Sequence, residues 1–180
     1  MLPASAAVAE RPREVRANRV SQAVTWQAIG VPYVIDAEVA VDLVWTLAPG
    51  VVLLMGPGSG ITVPGDNAAF HAVGTATAPI LISGVGKTPG AWDSIIFDTT
   101  LNGANALSYC TIEFGGGGTA KGEMGMIIAQ SDSHGVVLSL TNSTVQNSAV
   151  WGLYMGHYAQ VTQSGNTFAG NALGGSYKEP

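Results

Sequence analysis

A block near the C-terminal end of this chain returns after 23 residues, and a period of that length restricts the possible folds more than any other feature. Asn142-Ser143-Thr144-Val145 and Ala149-Val150-Trp151-Gly152-Leu153-Tyr154 come back as Gly165-Asn166-Thr167-Phe168 and Ala172-Leu173-Gly174-Gly175-Ser176-Tyr177. A unit this short cannot bury its own apolar side and must stack on its neighbours, which is the logic of a solenoid. Upstream, short apolar segments such as Val39-Ala40-Val41, Val51 to Met55, Ile80-Leu81-Ile82 and Ile95-Ile96-Phe97 are followed by the turn-forming residues Asp42, Gly56, Ser83-Gly84 and Asp98. No stretch carries a helical stripe, and equal-armed hairpins with Asn-Gly turns are missing, so the pattern predicts parallel coils. Six to eight coils of roughly 20–24 residues are expected over residues 20–180, with residues 1–19 as a flexible or capping arm.

Charge narrows the possible partners. The net charge is −5, yet four of seven basic residues (Arg11, Arg13, Arg16, Arg19) lie in the first nineteen positions. Residues 20–180 carry three lysines against ten carboxylates, a balance of −7. Such a body repels phosphate backbones, so no nucleic-acid partner is expected. No apolar run reaches membrane-spanning length, and the opening residues do not read as a secretion signal. Charged residues make up only 11% of the chain, which predicts surfaces that associate. Unpaired strand edges at the coil ends call for a cap, or for self-association into a homo-oligomer, at one end. Cys110 alternates with Ile112 and reads as a buried, inert thiol.

The segments around Pro32, Tyr33, Thr46, Leu47, Pro49, Gly50, Val51, Gly74, Thr75, Pro79, Ile80, Trp92, Ile95, Phe97, Leu107, Tyr109 and Ile112 follow a recognisable order. It runs from a Tyr-Val strand through Thr-Leu-x-Pro-Gly-Val and Gly-Thr-x-x-x-Pro-Ile to Gly-x-Trp-x-x-Ile-x-Phe. Over about residues 26–170 the chain resembles the bacterial right-handed parallel β-helix proteins of the pectin-lyase-like group. The resemblance implies an all-β, right-handed parallel β-helix and a polysaccharide or cell-envelope setting. The matching residues are turn formers and core fillers, so it implies little about chemistry. Lyases of the group pair calcium-binding acids with a basic residue that removes a proton. Here Lys87, Lys121 and Lys178 stand apart from the acids in sequence.

Three sets of residues are candidates for chemistry. His134 and His157 are 23 residues apart, one coil of about 4.8 Å, and two imidazoles at that spacing suit a divalent metal or an acid/base pair. A polar ladder at a solvated corner is the plainer reading, since two ligands alone rarely retain zinc. Asp93, Asp98 and Glu113 are expected to face outward, where paired carboxylates serve glycoside hydrolysis. The plainer role is to keep a sheet face soluble. Trp151, Tyr154, Tyr158 and Tyr177 are candidate sugar-stacking rings, or corner fillers. Gly84-Val85-Gly86-Lys87-Thr88 mimics the end of a phosphate-binding loop, but Pro89-Gly90 follows where a helix must open, so it reads as a turn.

The leading expectation is a non-catalytic extracellular or envelope module with a structural, adhesive or glycan-contacting role, needing no cofactor. The alternatives are a polysaccharide hydrolase or lyase acting in a groove of the β-helix, and a self-assembling structural protein.

Overall fold

Three strands and three bends make each turn of the chain. The computed structural model describes residues 13–15, 18–118 and 124–180, with side chains from residue 18 onward. The first coil is β1 (Arg13–Val15), β2 (Arg19–Val20) and β3 (Val24–Trp26), and the second is β4 (Tyr33–Ile35), β5 (Glu38–Val41) and β6 (Val44–Leu47). Then follow β7 (Val52–Met55), β8 (Gly60–Pro64) and β9 (Ala69–Val73), and β10 (Ile80–Gly84), β11 (Ile95–Asp98) and β12 (Ala106–Ser108). The fifth and sixth coils are β13 (Cys110–Glu113), β14 (Gly125–Gln130) and β15 (Val136–Thr141), then β16 (Thr144–Gln146), β17 (Trp151–Met155) and β18 (Ala159–Ser164). β19 (Thr167–Ala169) and β20 (Gly174–Lys178) begin a seventh.

Every third strand joins the same sheet. Sheet A runs β1-β4-β7-β10-β13-β16-β19, sheet B runs β2-β5-β8-β11-β14-β17-β20, and sheet C runs β3-β6-β9-β12-β15-β18. All pairings between these strands are parallel, and the coil winds right-handed, as crossovers between parallel strands do. The first two strands fall in the segment expected as an arm; residues 1–12, 16 and 17 of it lie outside the described residues.

Alternation along each strand sends one set of side chains into the shared core. In sheet B the inward column runs Val39, Ile61, Ile95, Ile127, Leu153, with Val63, Phe97, Ala129 and Met155 alongside. Trp45 is fully buried between Trp26 and Phe70, with ring centroids 4.7 and 5.0 Å away. The expected 23-residue register is the observed one at the C-terminal end, where Val145 pairs with Phe168 and Tyr154 with Tyr177.

The expected uniform coil of 20–24 residues is corrected in the middle of the stack. Val52 pairs with Leu81, 29 residues on, and His71 with Ala106, 35 residues on. The added residues lie between β10 and β11, between β11 and β12, and between β13 and β14, and the strand pairing on either side is intact.

Candidate functional site

Trp92 fixes the geometry of a surface cleft on sheet B. Its ring is fully buried and its Nε1 donates to the Glu113 carbonyl at 2.9 Å, which pins the bend before β11. The next residue, Asp93, is thereby presented to the outside of sheet B. The glycine run 115–118 lies flush against this bend. A Cβ on Gly115 would stand 2.7 Å from the Trp92 ring, and one on Gly118 would stand 2.8 Å from the Asp93 carboxyl carbon. Only chain without side chains fits so close.

Glu38, Gly60, Thr62, Asp93, Ser94, Ile96 and Gly118 line a cleft of about 220 Å³. Thr62 Oγ1 donates to Glu38 Oε1 at 2.7 Å, which orients that carboxylate. Burial, and then the nearby charge of Glu38, push the Asp93 carboxyl above the usual range. The cleft thus places two carboxyl groups on one face, with the protonated form of Asp93 favoured relative to an exposed aspartate. Glu38 was not among the residues singled out from sequence. It opens β5 as an exposed residue in a run reading Glu-Val-Ala-Val, and one ordinary and one lengthened coil separate it from Asp93.

The three acids expected to cooperate lie in different places. Glu113 is on sheet A, where Ser83 Oγ and Gln146 Nε2 donate to its two oxygens at 2.9 and 2.7 Å. Asp98 ends β11 on sheet B, in register with Pro64 and Gln130, and accepts from Thr99 Oγ1 at 2.8 Å. Asp93 alone of the three lines the cleft.

The two histidines occupy equivalent corners before β15 and β18, since Val136 pairs with Ala159. Their rings engage different partners. His134 Nε2 meets Asp66 Oδ2 at 3.2 Å, while His157 Nδ1 donates to the Pro180 carbonyl at 2.5 Å. Among the described residues no group of three or more His, Cys, Asp or Glu side chains is placed to hold a metal ion.

Of the aromatic candidates, three converge. Tyr154 and Tyr177 lie in register on the outer face of sheet B with centroids 5.5 Å apart and planes tilted by 35°, and Trp151 lies 5.4 Å from Tyr177 in a stacked arrangement. Tyr154 is largely buried and its hydroxyl bonds Glu179 at 2.5 Å, so Tyr177 and Trp151 form the accessible part of the group. Tyr158 stands apart, edge-on to His157 at the corner.

No described cation lines the cleft. Arg19 bonds Asp42, Lys87 sits in the turn after β10, and Lys178 donates to three carbonyls; Lys121 lies outside the described residues.

One further surface has no counterpart among the sequence candidates. The outward row of sheet C runs Thr25, Thr46, His71, Ala106, Ser139, Thr162. Beside it runs Val73, Ser108, Thr141, Ser164. Neither row contains a carboxylate, ammonium or guanidinium. The signal was present as Ser-x-Thr in β15 and Thr-x-Ser in β18, but it became readable only once the coils were in register.

No protein-family model, curated protein or solved structure matches the chain significantly.

Proposed function

We propose that this chain is a non-catalytic β-helix module displayed outside the cell or on its envelope, where it contacts glycan through the C-terminal part of sheet B. The observation that carries this reading is the stacked pair Trp151 and Tyr177, backed by Tyr154. Flat aromatic faces bury the apolar face of a sugar ring at small entropic cost, because an aromatic side chain has few rotamers to lose. The likeness to the pectin-lyase-like group, carried by its turn and core residues, supports a polysaccharide setting. The proposal is tested by binding soluble neutral oligosaccharides to the full chain and to Tyr177→Ala. A loss of at least tenfold in the variant is expected, and equal binding by both overturns the reading.

A second reading, glycoside hydrolysis, is favoured by one feature: the Asp93 carboxyl, raised in pKa and sharing a cleft with Glu38. Reducing-sugar release from a panel of polysaccharides, lost in both Asp93→Asn and Glu38→Gln, would establish it over the non-catalytic role. Absence of release from the whole panel removes it.

A further inference from the structure

We propose that the outer face of sheet C is a docking surface for the packed chains of an uncharged, hydroxyl-bearing polysaccharide. The inference rests on the glycan-contacting reading but places an ordered polymer on a different face from the aromatic pair.

The face is built for regularity. Its six strands stack in register through parallel pairs, so side chains of one row repeat at about 4.8 Å along the axis and at about 6.7 Å along each strand. The side chains at these positions are short. Alanine, serine, threonine and valine have little rotamer freedom to lose, and β-branching stiffens threonine further. Within the ladder Thr141 Oγ1 donates to Ser108 Oγ at 2.9 Å, which links hydroxyls of successive coils. His71 is the one titratable side chain in the two rows, and its Nδ1 donates to the Ala104 carbonyl at 3.0 Å.

Charge and size decide between occupants. The face offers no cation, and residues 20–180 carry a balance of −7, so a polyuronate is repelled. A neutral polymer faces no such penalty and leaves no charge buried without a partner. A folded protein partner is disfavoured by the absence of Trp, Tyr or Arg on this face, the side chains that anchor protein interfaces. A second copy is disfavoured by area. Five steps of 4.8 Å by two of 6.7 Å give about 300 Å². A stable interface buries about 800 Å² on each partner. A flat hydroxyl-bearing layer, by contrast, can engage the whole repeat at once through many small contacts.

The test uses the full chain and measures its depletion from solution by microcrystalline cellulose and by a calcium-pectate gel. Wild type is expected to partition onto cellulose and not onto pectate. Ser139→Lys and Thr162→Lys each place one charge on the exposed face, and each is expected to lower cellulose partition at least tenfold with an unchanged circular dichroism spectrum and melting temperature. Two variants at separate coils guard against one of them disturbing the fold. Tyr177→Ala is expected to retain cellulose binding while losing soluble oligosaccharide, so failure of the aromatic site and failure of this face are read separately. The proposal is overturned if wild type does not bind cellulose, or if both lysine variants bind it as wild type does. It is equally overturned if light scattering shows a dimer that the lysine variants dissolve.

Discussion

Lys178 stands in register beside Met155, at the point where the inward column of sheet B changes from apolar to polar. Its ammonium turns onto the carbonyls of Gly156, His157 and Ala159 at 2.9, 3.1 and 2.6 Å. Ser176 likewise stands beside Leu153, and Gln163 beside Leu140. β18 and β20 therefore set polar residues beside aliphatic ones of the preceding coil, and the Lys178 ammonium satisfies three carbonyls at this corner.

Lys178→Ala should loosen this end without unfolding the stack. The groups are exposed, so the cost is about 1 kcal/mol. Amide exchange should quicken in β18 and β20 and stay unchanged in β8 and β11. Lys178→Met restores an apolar column residue but not the three hydrogen bonds, and should not rescue protection. A rescue would show that packing, not carbonyl capping, sets the end.

What could be read from sequence follows from where the coils are regular. The pairings of Val145 with Phe168 and Tyr154 with Tyr177 were legible because the turn between them contains no insertion. Across the middle coils the longer connections after β10, β11 and β13 shift the period, so Asp98 and Glu113 read as neighbours although they belong to different sheets. Glu38 and Asp93 share a cleft because one ordinary coil, Val39 to Ile61, and one lengthened coil, Ile61 to Ile95, bring β5, β8 and β11 side by side. The paired turn asparagines were equally hidden. Asn166 Nδ2 donates to the Leu140 carbonyl and Asn171 Nδ2 to the Val145 carbonyl, at 2.7 and 3.0 Å. That role needs the coil below to be known.

Gly174 lies under the Trp151 ring, where a Cβ would approach to 2.5 Å, and its φ of 132° is one that side chains rarely adopt. Gly174→Ala must therefore strain the backbone and displace the indole together. The expected loss is about 1–3 kcal/mol. Tryptophan emission should shift to the red as Trp151 becomes more exposed, and glycan contact should weaken with it. Unchanged emission and unchanged stability would separate the indole's position from this glycine.

Cys110 is buried, and its thiol pKa is pushed up to about 12, chiefly by desolvation. The unfolded thiol ionises near pH 8.5, so between there and pH 12 the unfolded chain holds fewer protons than the native one. The stability contribution of the neutral thiol is complete below the unfolded pKa and declines as pH rises through this window. The slope is about 1.4 kcal/mol per pH unit. Cys110→Ala should lack this component in urea unfolding measured at pH 8, 9 and 10. Native wild type should also resist thiol reagents until it unfolds; rapid labelling at pH 8 would contradict its burial.

Asp93 titrates in the opposite sense from a salt-bridged carboxylate. Burial, and then Glu38, favour its protonated form in the folded state. Its folded pKa lies above the unfolded value, so the native chain takes up the proton first as pH falls. The contribution this makes to stability is present at low pH and is lost as pH rises through the folded pKa. Asp93→Asn mimics the protonated form and should be no less stable than wild type at neutral pH. The pH dependence of its unfolding should be flatter just above the ordinary aspartate pKa of about 3.9. Carbon-detected NMR titration of the Asp93 carboxyl gives the direct check. Glu38→Gln removes the neighbouring charge and should bring its midpoint down, while the part due to burial remains. A midpoint unmoved by Glu38→Gln would mean that the two carboxylates do not sense each other, and with that the hydrolytic reading of the cleft would lose its physical basis.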